Sequence, residues 1–144
     1  MGDVAKVIAL DDVRASQQHQ ALRQQLHERF DQWLDALERQ LPAAELTIHQ
    51  VSETIWGLRQ PLTASVAQTI VEHRHQAEHR RTSLHCATCE RLLQARPTVR
   101  RTVETLVGAI ELERPYFYCR QCQCGRYPLD EVLGVRAGRM QLDV

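Results

Sequence analysis

Two short cysteine pairs, Cys86-Ala-Thr-Cys89 and Cys119-Arg-Gln-Cys122, stand with 29 residues between them and constrain this chain more than any other feature. Each pair can bend into a knuckle that offers two thiolates, and four thiolates at about 2.3 Å complete a tetrahedral zinc shell. A closed shell leaves no position for water or substrate, so the spacing predicts a structural Zn2+ and argues against metal catalysis. The expected ligands are Cys86, Cys89, Cys119 and Cys122. A disulfide framework fits poorly with five cysteines and with an opening, Met1-Gly-Asp-Val-Ala-Lys6, that has no apolar signal segment. A redox-active Cys-x-x-Cys is expected at a helix N-terminus in a βαβ setting, whereas Cys119 follows the strand-like Tyr116-Phe117-Tyr118. Two alternatives stay open at the site: Cys124 competes with Cys122 as the fourth ligand or is a spare, redox-sensitive thiol, and His85 is close enough in sequence to ligate. His73, His75 and His79 read as a solvated helix face.

At 144 residues the chain suits one ordinary domain or two small ones. The metal site favours the second arrangement, with a helical segment over residues 1–81, a zinc ribbon over 82–130 and a C-terminal tail over 131–144. Nothing approaches 18 consecutive apolar residues, and Lys6 breaks the myristoylation pattern, so no membrane partner and a cytoplasmic location are expected.

The first half is helical by its periodicity. Leu22, Leu26, Phe30, Trp33, Leu34, Leu37 and Leu41 form a 3.6-residue stripe, which predicts an amphipathic helix from near Val13–Ser16 to Leu41, stopped by Pro42. A second helix opens at Thr47, where Thr47-Ile-His-Gln50 fits a capping box, and carries Ile48, Val51, Ile55, Trp56 and Leu58. Pro61 predicts a break or kink, and a third helical run follows with Leu62, Val66 and Ile70. The three form a helical hairpin or a three-helix segment, or the first forms the seam of a homodimer. A helix-turn-helix over 47–79 is disfavoured by the proline at its turn.

The second half alternates between turn and strand signals. Glu90–Ala95 reads as a helical turn stopped by Pro97. Val99, Arg101 and Val103, then Ile110, Leu112, Tyr116 and Tyr118, alternate around Gly108 as a β-hairpin that delivers the chain to Cys119. Pro115 fits an edge position or a bulge. The order knuckle, hairpin, knuckle is that of a zinc ribbon, so the fold class is α+β.

Net charge is zero, yet its distribution is uneven: residues 1–72, 73–101 and 102–144 carry −4, +5 and −1. The basic block surrounds the first knuckle. Seventeen of the 18 basic residues are arginine, whose planar fork suits bidentate contact with phosphate. GC-rich coding explains an arginine excess but not its clustering, and some of these side chains can offset the charge of a zinc tetrathiolate.

The string Cys86-x-x-Cys89, Arg101-Thr-Val-Glu-Thr-Leu-Val-Gly108-Ala-Ile110, Arg114-Pro-Tyr-Phe-Tyr118-Cys119-x-x-Cys122-x-x-Gly125 and Tyr127-Pro-Leu-Asp130-Glu-Val-Leu-Gly134-Val resembles the N-terminal region of bacterial insertion-sequence transposases of the ISKra type. The likeness covers roughly residues 80–135. It implies a helical segment and a zinc-ribbon-like element ahead of a DDE catalytic domain, which this sequence lacks, so the chain is expected to be non-catalytic. It also implies Cys119 and Cys122 as the second pair of ligands, with Cys124 outside the shell. Glu90 departs from the glycine that ribbons often place there.

Three functions are consistent with these residues. The first is a zinc-ribbon DNA-binding module presenting Arg91, Arg96, Arg100 and Arg101 to phosphates, nucleoid-associated and with a transposition-related partner. The second is a protein-interaction or dimerisation module with a purely structural zinc. The third is a redox-sensing zinc site in which oxidation of Cys122 or Cys124 expels the metal.

Overall fold

A computed structural model describes the backbone of residues 3–136 and the side chains of residues 10–136. Residues 137–144 of the expected tail lie outside the described residues. The chain is α+β, with helices followed by a small three-stranded antiparallel sheet. It divides into two compact units, Met1–Ile70 and Val71–Val144. No helix is long and apolar enough to cross a membrane.

The first unit holds helix α1 (Asp3–Gln40) and most of α2 (Ile48–Arg74). Helix α1 starts well before the apolar stripe, and residues 3–13 contain neither glycine nor proline to break it. The capping box at Thr47 is present in both directions. Gln50 N donates to Thr47 Oγ1 at 3.2 Å, and Thr47 N donates to Gln50 Oε1 at 2.9 Å.

Pro61 does not end the helix: α2 runs through it without interruption. A proline there withholds the N–H that Gly57 O would accept and pushes its ring toward that carbonyl. Carbonyls on either side of Gly57 also receive side-chain donors. Trp33 Nε1 donates to Leu58 O at 3.0 Å, Thr63 Oγ1 to Arg59 O at 3.0 Å, and an Arg59 guanidinium N–H to Trp56 O at 2.6 Å. Continuity at Pro61 also removes the turn that a helix-turn-helix over 47–79 would need. Helices α1 and α2 meet through long side chains, Trp33 reaching Leu58 O and Arg29 Nε reaching the buried Thr69 Oγ1 at 3.3 Å.

The second unit contains the end of α2 from Val71, α3 (Gln76–His79), strands β1 (Gln94–Thr105), β2 (Gly108–Cys119) and β3 (Cys124–Arg126), and α4 (Pro128–Leu133). The sheet order is β1-β2-β3. Strands β1 and β2 form the expected hairpin, closed by the two-residue turn Leu106-Val107. Thr105 Oγ1 holds that turn by donating to Gly108 O and accepting from Val107 N, and Gly108 sits at φ 121°, where a side chain would be strained.

The expected helical turn at Glu90–Ala95 is absent. Backbone bonds Leu93 N to Leu84 O and Cys86 N to Arg91 O, both 2.8 Å, use this segment to close the first knuckle as a narrow antiparallel loop. Strand β1 then runs from Gln94 through Pro97. The β1–β2 register shifts between Arg96 and Val99, which accommodates that proline in a bulge.

Pro115 lies in the central strand, not at an edge, and its missing N–H falls where no partner is required. It stands opposite the bulge, before β3 begins to pair at Phe117. Burial along β2 changes parity at this point. Ile110, Leu112 and Arg114 are buried on one face, then Pro115, Phe117 and Cys119 on the other. One hairpin thus serves two small cores. In the first, Val103, Ile110 and Leu112 are buried beside a cleft that Leu133 and Val135 also line; in the second, Phe117 and Cys119 pack with Cys86 and Leu93.

Helix α4 opens with Pro128, ends at Gly134 in the left-handed region (φ 65°), and buries Leu129 completely. Residues 131–133 of the expected tail therefore belong to a packed helix. Arg114 and Arg101 fasten α4 by donating to Asp130 Oδ2 at 2.6 and 3.4 Å. The Arg114 guanidinium also lies 4.1 Å over the Tyr127 ring, which stacks on Tyr116 with centroids 4.6 Å apart. Tyr116 in turn covers Gly125, where any Cβ would collide with the phenol ring.

Candidate metal centre

Both cysteine pairs arrive at one place because β2 and β3 carry the second pair next to the first knuckle. The sulfurs of Cys86, Cys89, Cys119 and Cys122 all lie within 4.8 Å of one another. Bonds of 2.3 Å in a tetrahedral tetrathiolate give sulfur–sulfur edges of about 3.8 Å, and the Cys89 and Cys119 sulfurs are 3.6 Å apart. Cys86 and Cys119 are buried and the other two half-buried. All five cysteines are free. Four clustered thiols of this kind suit a thiophilic, four-coordinate metal ion.

The two knuckles repeat one backbone device. The residue after each pair, Glu90 and Gln123, takes positive φ, 59° and 52°. This is the left-handed conformation that glycine adopts freely and that costs other residues about 1–2 kcal/mol. Glu90 was conspicuous in the sequence as a departure from glycine; Gln123 occupies the matching position in the second pair. The turn aims N–H groups at sulfur, as in Cys122 N to Cys119 Sγ at 3.4 Å. In the first pair, the N–H groups of Cys89 and then Thr88 draw the Cys86 thiol down from 9.0 to about 6. Cys122 is pushed up to about 12, first by its hydrogen bond to Cys89 and then by burial. Metal ligation by this set requires the remaining protons to leave.

Cys124 packs against the cluster without belonging to the four-sulfur group. Its thiol is raised by burial and next by a hydrogen bond with Cys86. The His85 side chain is exposed and outside the group; its carbonyl accepts from an Arg126 guanidinium N–H at 3.0 Å. His73, His75 and His79 are half-buried, not a solvated face. His79 Nδ1 donates to Glu113 O at 3.1 Å, which uses this histidine to seat α3 on β2.

The arginines from Arg91 to Arg126 fall into two groups. Arg100 pairs with Glu113 at 2.8 Å, Arg101 and Arg114 share Asp130, and Arg126 holds both oxygens of Glu131 at 2.7 and 2.8 Å. Arg101 also donates to Arg136 O, and its side chain is only 18% exposed. Arg91, Arg96 and Arg120 meet neutral groups instead: Gln121 Oε1 at 3.4 Å, the Tyr118 ring at 5.6 Å and Gln94 Oε1 at 3.0 Å. Arg120 was missed by sequence reasoning because it lies inside the second cysteine pair, 29 positions along the chain from Arg91. Only the register Gln94↔Tyr118 reveals that it shares a neighbourhood with the basic block.

No protein-family model matches this chain, and no curated protein or solved structure is similar to it.

Proposed function

We propose that this chain is a zinc-ribbon DNA-binding module, non-catalytic in itself and related to the N-terminal region of ISKra-type transposases. In this reading Cys86, Cys89, Cys119 and Cys122 hold a structural Zn2+ and the ribbon around it carries the phosphate-binding arginines. The observation that carries the reading is that two cationic side chains, Arg91 and Arg96, have no carboxylate partner among the described residues. They reach instead Gln121, inside the second cysteine pair, and Tyr118, next in sequence to Cys119 of the four-thiol cluster. Zinc fixes the two knuckles, and the knuckles fix the arginines. Binding driven by phosphate contacts falls steeply with salt, with a slope of about −0.9 per phosphate on duplex DNA. The test is zinc analysis of the purified, reduced chain followed by mobility shifts at two salt concentrations. One equivalent of zinc and a salt-dependent shift are expected; a metal-free yet compact chain that does not bind DNA would overturn the proposal.

A second reading, self-association through the helical unit, is favoured by a separate observation. Phe30, Leu34, Ile55 and Trp56 are 36–66% exposed, although the first two belong to the apolar stripe of α1. A homodimer through α1 would cover the first two, and one that also engages α2 would cover all four. Sedimentation at two protein concentrations tests it: a concentration-independent monomer mass would exclude it.

A further inference from the structure

The seven arginines from Arg91 to Arg126 differ in what neutralises them, and this difference locates a binding surface. Four are paired with carboxylates, and the acid in each case fastens a strand or helix. The other three, Arg91, Arg96 and Arg120, have no carboxylate contact among the described residues. Their partners are amide oxygens and a phenol ring. A glutamine carbonyl accepts one of the five guanidinium N–H groups, holds the side chain in place and leaves its charge intact.

The three also lie together. Gln94 stands directly across from Tyr118 and Arg96 across from Tyr116, so Gln94, Arg96, Tyr116 and Tyr118 project from one face of the hairpin. Arg120 joins this group through Gln94, and Gln121 next to it holds Arg91. The result is a strip of three positioned cations interleaved with Gln94, Tyr118 and Gln121 along the outside of the two knuckles.

We infer that this strip, and not the Arg100–Arg101 pair, is where the phosphodiester backbone of a nucleic acid sits. The inference rests on the proposed DNA-binding function and goes beyond it by moving the contact surface and adding Arg120, with Gln94 and Gln121 as positioning residues. Transfer of a guanidinium from an amide to a phosphate exchanges a neutral acceptor for a charge-assisted, bidentate one. Arg100 and Arg101 would first have to leave Glu113 and Asp130. The rival role for these cations is to offset the sulfur charge of a metal centre.

The experiment uses the full, zinc-loaded chain and a fluorescent DNA duplex, with anisotropy recorded across a salt series. Triple substitution of Arg91, Arg96 and Arg120 by alanine should lower the magnitude of the log–log salt slope by about 2.7, or 0.9 for each lost phosphate contact. Arg100→Ala should leave it unchanged. A parallel triple Arg→Gln variant, which preserves amide-type hydrogen bonding, should give the same slope and guards against misfolding of the alanine variant. If the unaltered chain binds no DNA, the proposed function itself fails. If it binds and both triple variants keep its slope, the function stands and this surface is wrong. If the triple variants lose zinc while Arg100→Ala retains it, the three arginines serve the metal and the inference is overturned.

Discussion

The two units of this chain are similar in length and differ in how they exclude water. In the helical unit, α1 and α2 bury Leu22, Leu58 and Thr69, while Leu10, Val13, Phe30, Leu34, Ile55 and Trp56 stay exposed. The sheet unit buries Cys86, Leu93, Val103, Ile110, Leu112, Phe117, Cys119 and Leu129, and adds Arg114. Helices can satisfy their backbones without a partner, so a helical pair can keep regular structure with little core. A short three-stranded sheet cannot, and here its two small cores are closed by sulfur on one side and by α4 on the other. Order in the second unit therefore depends on a few side chains, each with a large share.

Metal removal should expose that difference most. Structural zinc contributes on the order of 10 kcal/mol at such sites, more than a domain of this size holds in reserve. Chelation, or the double substitution Cys86→Ser and Cys119→Ser, should collapse the near-UV signal of Tyr116, Tyr118 and Tyr127. The far-UV helical signal of α1 and α2 should persist. A chelated chain that retains its tyrosine signal would show that the sheet stands without metal and that the two units are alike.

Truncations in the apolar cores come next. Leu129→Ala removes a fully buried side chain and should cost about 2–5 kcal/mol, read as a fall in the denaturation midpoint of the sheet unit. Leu34→Ala, at 36% exposure, should cost under about 1 kcal/mol in a monomer. Equal losses would mean that the α1 face is covered in solution, and would support the dimer reading.

A comparable effect is expected where charge replaces apolar packing. Arg114 is 7% exposed, with its Nε and the Oδ1 of Asp130 buried without partners. Asp130→Ala leaves that guanidinium uncompensated, which should cost about 3–5 kcal/mol. The double variant Arg114→Met, Asp130→Leu should recover most of the loss, because removing both charges removes the desolvation burden. Failure to recover would show that the Arg101 and Tyr127 contacts, not charge pairing, hold α4.

How much of this was legible beforehand follows the same division. The cysteine spacing, the capping box at Thr47, the hairpin around Gly108 and the α1 stripe are local patterns, and the structure contains each of them. What escaped depends on partners distant in sequence. Pro61 does not break α2, and Trp33, from the other helix, reaches Leu58 O next to the carbonyl that the proline leaves without its N–H. Glu90–Ala95 lacks helix because Leu84 and Cys86 recruit its backbone. Arg101 looked like a free cation, yet it bonds to Asp130, 29 residues on. The positive φ of Gln123 gave no sign in the sequence, because glutamine marks no turn, whereas Glu90 already stood out where a glycine was expected.

The smallest expected effect separates surface pairing from core pairing within the sheet unit. Arg126 and Glu131 form a bidentate pair that links β3 to α4, with side chains 27% and 48% exposed. The Arg126 hydrogen bond holds the Glu131 carboxyl below its ordinary value of 4.5, against the opposing effect of burial. With a lowered native pKa, the unfolded state binds more protons as pH falls, so this pair contributes fully above the unfolded pKa and is lost as pH drops through the folded one. Solvent screening at this exposure limits its contribution to about 0.5–1 kcal/mol. Glu131→Gln should lower stability by that amount at pH 7 and flatten the acid limb as pH falls below the carboxyl's ordinary value of 4.5. A loss as large as that of Asp130→Ala would instead show that the Arg126 link to the His85 carbonyl carries the first knuckle with it, making this exposed pair part of the metal centre's support.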